Sequence, residues 1–170
     1  MQRRWILPTS PDEAGIRLLA SELGIPAVVA TLLAARGFST AEEATLFLDP
    51  RLASLRPPEE IPGIRAAADR LISAVASGER ITLYGDYDVD GVSSLTILCR
   101  YLRAAGGMVE CFIPDRAAEG YGLSAAGVTR CLKETSPSLV VAVDCGTNSR
   151  AEASHLRKEG CSLVILDHHE

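Results

Sequence analysis

Apolar and polar positions follow one rhythm up to about residue 80 and another beyond it. Beyond it come four short apolar runs rich in β-branched residues: Ile81–Tyr84, Val109–Ile113, Leu139–Val143 and Ser162–Leu166. Runs of this length and composition predict strands, and having apolar residues on both faces they predict strands covered on both faces. Helical patterns separate them, over about Val92–Ala105, Ala125–Thr135 and Arg150–Glu159, with Gly106, Gly107 and Gly160 as stops. Strands alternating with helices predict an α/β fold, a parallel sheet covered by helices. The earlier part reads as small helices between breaks. Ser10, Pro11, Asp12 and Glu13 form a helix start, with Ser10 as the cap. Pro26 opens a helix over Ala27–Ala35 that Gly37 ends, and Thr40 with Glu43 makes a capping box leading into Ala44–Leu48. Pro50, Pro57, Pro58 and Pro62 forbid a long element between Asp49 and Gly63. A helix over Arg65–Ala76 comes next, with Leu71, Ile72 and Val75 on one face and Gly78 as its stop. The expected organisation is a small helical N-terminal region and connector over 1–63, then the α/β domain over 64–170.

Composition adds limits. The 170 residues are 47% hydrophobic and 23% charged, an ordinary globular balance. No apolar run approaches the ~20 residues of a membrane span, and no signal core follows the basic start, so no membrane association is expected. The five cysteines form no C-x-x-C pair and sit mostly among apolar residues, as reduced core thiols of a cytoplasmic protein do. Residues 1–80 carry 9 basic and 10 acidic side chains, and residues 81–170 carry 8 and 12. This is no generic basic binder of nucleic acid. The excess negative charge includes Asp86, Asp88, Asp90, Asp144 and Asp167, all flanked by apolar residues.

Parallel sheets bind ligands beyond the carboxyl ends of their strands. Each predicted strand here runs into a polar cluster: Gly85–Gly91 after the first, Pro114–Gly122 after the second, Asp144–Gly146 after the third and Asp167–His169 after the fourth. Asp86, Asp88 and Asp90 are spaced by two, which in an extended segment puts three carboxylates on one side. Such a group is unfavourable unless protons or cations neutralise it. An Asp/Gly-rich turn is the plainer alternative, and it loses ground as Asp144, Asp167, His168 and His169 arrive at other strand ends. Carboxylates with imidazole suit Mn²⁺ better than Ca²⁺, with zinc a further possibility. His155 lacks such company and is expected on a helix face.

These motifs resemble the DHH phosphoesterase family. Asp167-His168-His169 follows an apolar strand, and Tyr84-Gly85-Asp86-Tyr87-Asp88-Val89-Asp90-Gly91 lies upstream. Arg116 with Glu119-Gly120-Tyr121-Gly122-Leu123-Ser124, and Val143-Asp144-Cys145-Gly146, resemble two further motifs of its branch of single-stranded-DNA-specific 5′-to-3′ exonucleases. The resemblance implies a DHH-type domain and a two-metal phosphodiesterase using Mn²⁺ or Mg²⁺ in DNA repair and recombination, a monomer when complete. It implies metal ligation by Asp88, Asp90, Asp144 and His168, with Asp86 close by, and a role for Asp167 and His169 in orienting ligands or touching the scissile phosphate. Single-stranded DNA is the implied partner, with Arg116 on a phosphate and Tyr121, held beside Gly122, stacking on a base. Asp115 departs from the family's usual Asn, and an acid there disfavours a nearby phosphate. The family continues well past its Asp-His-His motif, into a further Asp ligand and substrate-gripping domains. The DHH domain is therefore expected to be incomplete at its C-terminal end, and the 170 residues alone inactive. Action on short oligonucleotides or cyclic dinucleotides, and an inactive binding module, are the alternatives. The strand-Asp-x-Asp-Gly opening of haloacid dehalogenases fits poorly, because Lys133 and Lys158 fall within helices.

Overall fold

The computed structural model describes residues 12–169. They fall into two compact units that divide between Glu60 and Ile61.

The first unit holds three short helices, α1 (Glu13–Leu23), α2 (Ala27–Ala35) and α3 (Ala41–Leu48). Capping chemistry sets their starts. Asp12 caps α1, accepting hydrogen bonds from the Ala14 and Gly15 amides. The expected cap, Ser10, lies outside the described residues. Aspartate caps as well as serine and adds a negative charge at the helix's positive end, so the helix starts after it. The α3 capping box is formed: Thr40 Oγ1 accepts the Glu43 amide at 3.2 Å, and the Glu43 carboxylate accepts the Thr40 amide at 3.3 Å. Ile16, Leu19, Ala30, Leu33 and Ala44 make this unit's core. Between Asp49 and Gly63 the described chain forms just two one-turn 3-10 segments, Leu52–Ser54 and Pro58–Glu60, as its prolines require.

The second unit contains α4 (Ile64–Ala76), β1 (Arg80–Tyr84), α5 (Val89–Ala104), β2 (Met108–Phe112), α6 (Arg116–Glu119), α7 (Ala125–Thr135), β3 (Leu139–Val143), α8 (Arg150–Lys158) and β4 (Ser162–Leu166). The strands form one parallel sheet in the order β2-β1-β3-β4. Alternate side chains of β1 and β3 feed two cores. Ile81, Leu83, Leu139, Val141 and Val143 pack with Leu71 and Ala74 of α4 and Leu95, Cys99 and Leu102 of α5. Tyr84, Val140 and Ala142 pack with Val128 and Cys131 of α7 and Leu156 of α8. Thr82 faces the second core, and its hydroxyl donates to that of Thr135 at 2.7 Å. The central strands β1 and β3 are thus covered by helices on both faces, as their apolar runs predict, while the edge strands β2 and β4 are only partly covered. No single helix among the described residues is long and apolar enough to cross a membrane.

Two expectations need correction. On α4 the inward stripe is Leu71, Ala74 and Val75, while Ile72 is 66% exposed. Ile72 lies a ~100° rotation from Leu71, outside the narrow face that meets the sheet. Helix α5 begins at Val89, not at Val92, because Asp88 caps it by accepting the Gly91 amide at 3.0 Å. The segment carrying Asp86, Asp88 and Asp90 is therefore not one extended run.

The early start of α5 needs a glycine. A Cβ at Gly91 would lie 2.6 Å from the Asp86 carbonyl oxygen and 2.8 Å from the Asp86 Cβ. Neither backbone nor Cβ can swing aside as a flexible side chain does. Gly91→Ala is expected to destabilise the protein by ~1–3 kcal/mol, the range for overpacking a filled site. Chemical denaturation measures it, with Ala104→Gly, near the end of α5, as a control for helix propensity alone.

Candidate metal centre

Strand order puts the carboxyl ends of β1 and β3 side by side, while the chain leaves them toward opposite edges of the sheet, β1 to β2 and β3 to β4. This is the switch point at which doubly wound sheets bind ligands. Tyr84 pairs with Ala142, so the next matched positions but one are Asp86 and Asp144. Both are buried, Asp86 fully and Asp144 at 5% exposure. Asp88 joins them from the α5 cap. Ligand-capable oxygens of Asp86, Asp88 and Asp144 all lie within 4.8 Å of one another. A second group, Asp144, His168 and His169, meets the same spacing and shares Asp144.

Hydrogen bonding is incomplete where a cation would complete it. Asp86 Oδ1 accepts the Tyr87 amide at 2.7 Å, and Asp144 Oδ1 faces His168 Nε2 at 3.0 Å. The Oδ2 atoms of both aspartates are buried with no hydrogen-bond partner. Orphaned buried carboxylate oxygens are costly, so the donor set fits a hard or borderline divalent cation. Burial, and then the Asp88 charge, push the Asp144 carboxyl above its ordinary value, against the opposing pull of His168. Asp144 also holds a left-handed backbone conformation, φ 63°, which Asp and Asn tolerate better than other residues with a Cβ.

Asp167 is expected to orient ligands or touch the scissile phosphate, and its carboxylate is engaged with the chain's own donors, His169 among them. Oδ2 accepts the Thr147 amide at 3.0 Å and the Thr147 hydroxyl at 2.7 Å. Oδ1 accepts the His168 and His169 amides and meets His169 Nδ1 at 2.7 Å. Burial opposes ionisation of Asp167, but these donors, led by the Thr147 hydroxyl and amide, outweigh it and hold the carboxyl well below its usual range. Asp167 in turn raises the His169 imidazole above its ordinary value. Asp90 is expected with Asp86 and Asp88; it lies exposed in the first turn of α5, outside both groups. His155 lies on α8, away from both groups.

The segment after β2 borders the acids. The Arg116 guanidinium lies 4.8 Å from the centre of the Tyr87 ring, and Tyr87 meets Tyr121 edge to face at 6.2 Å. Tyr121 is 57% exposed; local burial and then the Asp86 charge push its hydroxyl up to about 12, so it stays neutral. Asp115 is exposed, but its carboxylate is engaged: Oδ1 caps α6 by accepting the Ala117 and Ala118 amides. Gly122, expected beside Tyr121 in strand contact, is buried with φ 67°, and its carbonyl accepts the Tyr84 hydroxyl at 3.1 Å. Its place is to shape the turn that presents Tyr121. A cavity of about 290 Å³ lies against His169 and Asp167, walled by Tyr121, Cys145, Thr147 and Asn148. Sequence reasoning missed Tyr87 and Thr147. Tyr87 was visible as the residue between two acids, but Thr147 carries no signal until β4 is placed beside β3.

Fold and site together define a doubly wound α/β domain with a carboxylate–imidazole centre at its switch point. Comparison with known proteins narrows this. The family model described as DHH family, N-terminal domain, matches residues 80–170, and the chain belongs to that family. The chain is 40% identical over 167 residues to the single-stranded-DNA-specific exonuclease RecJ of Bacillus subtilis, covering 98% of this chain and 21% of the relative. It is 37% identical over 166 residues to RecJ of Thermus thermophilus, covering 98% and 23%. The crystal structure of RecJ in complex with Mn²⁺ from Thermus thermophilus superposes with a TM-score of 0.60 at 34% identity, covering 95% of this chain and 22% of that one. The chain thus spans about a fifth of the length of these relatives.

The raised Asp144 carboxyl gives a signed prediction. A group that prefers its proton in the folded state contributes stability at low pH and loses it as pH climbs above 3.8, its ordinary value. Asp144→Asn keeps the shape and suits φ 63° but removes the charge. Without metal, the variant is expected to melt above the unaltered protein by roughly 2–4 °C at pH 7, the response to about 1 kcal/mol. The gap is expected to close as pH falls toward 4. Thermal melts in chelator across that range measure both, and a gap that widens toward low pH contradicts the assignment.

Proposed function

We propose that this chain holds divalent cations, Mn²⁺ or Mg²⁺, between Asp86, Asp88, Asp144 and His168, and that it serves the 5′-to-3′ hydrolysis of single-stranded DNA. One observation carries the reading: two groups of ligand-capable side chains meet at the buried Asp144, so the site could hold more than one cation. Support comes also from relatives named as single-stranded-DNA-specific exonucleases and from a structural neighbour in complex with Mn²⁺.

When bound, such a pair of cations supplies Lewis acidity and an activated water for in-line displacement at phosphorus. The chain's own groups do the rest. Asp167 fixes the His169 ring through Nδ1, which leaves Nε2 to donate a proton or hydrogen bond to a phosphate oxygen. His168 offers Nε2 beside Asp144. Arg116 supplies a planar guanidinium for a strand phosphate. Tyr121 offers a neutral, exposed ring for stacking on a base, a contact worth ~1–3 kcal/mol. Asp90 lies in the first turn of α5, outside both ligand groups.

A chimera tests the reading. Residues 12–169 replace the matching segment of the Bacillus subtilis relative, and the protein is offered 5′-labelled single-stranded DNA, duplex DNA and a cyclic dinucleotide. Metal-dependent release of mononucleotides from the single strand is expected, with a loss of at least ~10³-fold in Asp144→Asn. A folded chimera that prefers the cyclic dinucleotide, or cuts equally well in chelator, sinks the proposal. The 170 residues by themselves are expected to gain thermal stability on adding Mn²⁺ yet to release no appreciable nucleotide.

A further inference from the structure

Helix α6 is four residues long and carries Arg116 at its first position. One turn of helix is far too short to hold itself. What holds it lies on its far side, at Glu119. Glu119 Oε1 accepts Arg130 Nε at 2.6 Å, and Oε2 accepts Arg130 Nη2 at 2.8 Å, a two-pronged pair. The same Oε2 accepts the Asp115 amide at 2.8 Å, and so closes the turn on itself. Arg130, on α7, also donates to the Ile113 carbonyl at 3.1 Å and lies over the Phe112 ring at 4.2 Å from its centre. Strand β2, helix α6 and helix α7 therefore meet at one guanidinium. The Glu119 side chain is 8% exposed there. Arg130 holds the Glu119 carboxyl below its usual range, so the pair stays charged at neutral pH.

Arg116 and Glu119 are three residues apart on the same turn. A shift at Glu119 is thus carried directly to Arg116. The other end of this chain of contacts is Tyr87, which belongs to the loop between β1 and α5 and lies among the acids. No carboxylate pairs with Arg116 among the described residues, so its place depends on Tyr87 on one side and the Glu119 anchor on the other. We propose that the Glu119–Arg130 pair is a positioning latch that sets Arg116 over Tyr87 and thereby fixes how strongly the site grips a strand phosphate. The second half rests on the reading of Arg116 as a phosphate contact. Neither latch residue belongs to either group of ligand-capable side chains.

The test uses the ¹⁵N-labelled 170-residue chain with Mg²⁺. With its guanidinium 4.8 Å from the Tyr87 ring centre, Arg116 is expected to show side-chain resonances shifted upfield, and Tyr87→Leu to give their unshifted position. Glu119→Gln and Arg130→Met are expected to move the Arg116 resonances at least halfway to that position while β1 and β3 amides stay put. A latch that merely added stability would leave the Arg116 resonances where they were. Titration with a 5′-phosphorylated tetrathymidylate then reads the grip. Glu119→Gln is expected to weaken binding ~5–10-fold, to match Arg116→Ala, and to lower the slope of log affinity against log salt by ~0.7, one phosphate contact on a single strand. The double variant Glu119→Gln/Arg116→Ala is expected to bind no worse than Arg116→Ala. Unmoved Arg116 resonances in Glu119→Gln overturn the latch. So does a further loss in the double variant, since the pair would then act through something other than Arg116. If the unaltered chain shows no saturable shift with the oligonucleotide, the phosphate reading of Arg116 falls and takes the grip with it, while the resonance arm still decides the latch.

Discussion

Because β1 and β3 run side by side in parallel, their carboxyl ends lie together, and an aspartate follows each within two residues, Asp86 after β1 and Asp144 after β3. The convergence is electrostatically unfavourable. Two carboxylates ~4 Å apart repel by ~4 kcal/mol at the effective dielectric near a protein surface. The pairing that brings them together is stronger. Ile81, Leu83, Leu139, Val140 and Val141 are all buried at 1% exposure or less, and each buried side chain of this kind contributes ~1.5–3 kcal/mol. Backbone position is thus set by packing, and the acids have to accept where it leaves them. The orphaned Oδ2 atoms of Asp86 and Asp144 are what remains uncompensated. A cation that satisfied both would restore part of that loss, so metal affinity here is linked to folding.

Asp144 and Asp167 come directly after adjacent strands and live in opposite environments. Every lone pair of Asp167 that the loop can reach has a donor, and the carboxyl is held ionised. Asp144 is pushed the other way by burial and by Asp88. Two carboxylates separated in this manner have different work. Asp167 builds the turn: it ties the β3 loop, through Thr147, to the β4 end and fixes the His169 ring. Asp144 is left with an open oxygen and a strained backbone, the state of a group shaped for a ligand rather than for stability. The Asp-His-His sequence does not distinguish these jobs, since either Asp could be the ligand until Thr147 is placed opposite Asp167.

Leu139–Val143 is legible in the sequence because burial on both faces leaves no other pattern, and Ser162–Leu166, at the sheet's edge and only partly covered, is legible because its apolar run is short and bounded by Gly160 and Asp167. The Thr40–Glu43 box is legible because its chemistry is local. Errors arise where one residue serves two ends. Asp88 caps α5 and also faces Asp86 and Asp144, and a reading of the three aspartates as an extended ligand run hides the cap. That reading starts α5 three residues late and groups Asp90 with the others. Ile72 misleads because an apolar helix residue need not be inward when the stripe is narrow and Ala74 lets the helix approach closely. Helix α6, Tyr87 and the Glu119–Arg130 pair depend on contacts between segments far apart in the chain, which no local pattern encodes.

The charge distribution bears on order of assembly at the site. Residues 81–170 carry 12 acidic against 8 basic side chains, and the acids at the switch point are the most concentrated of them. A phosphate brought toward Asp86, Asp88 and Asp144 alone meets repulsion that Arg116, standing off over Tyr87, offsets only in part. Cations held by those acids invert the local field. Under the proposed function, metal and strand therefore bind with positive coupling, and by linkage the strand must tighten the metal by the same factor. Arg116 and the neutral Tyr121 then act as the fixed rim of the site, in place before either ligand arrives, while the acids supply a centre whose sign depends on what occupies it. Under the proposed function this division suits a chain of net charge −5: cations at the acids would supply attraction for a phosphate where the acids alone repel it, and Arg116 would add to it from the rim.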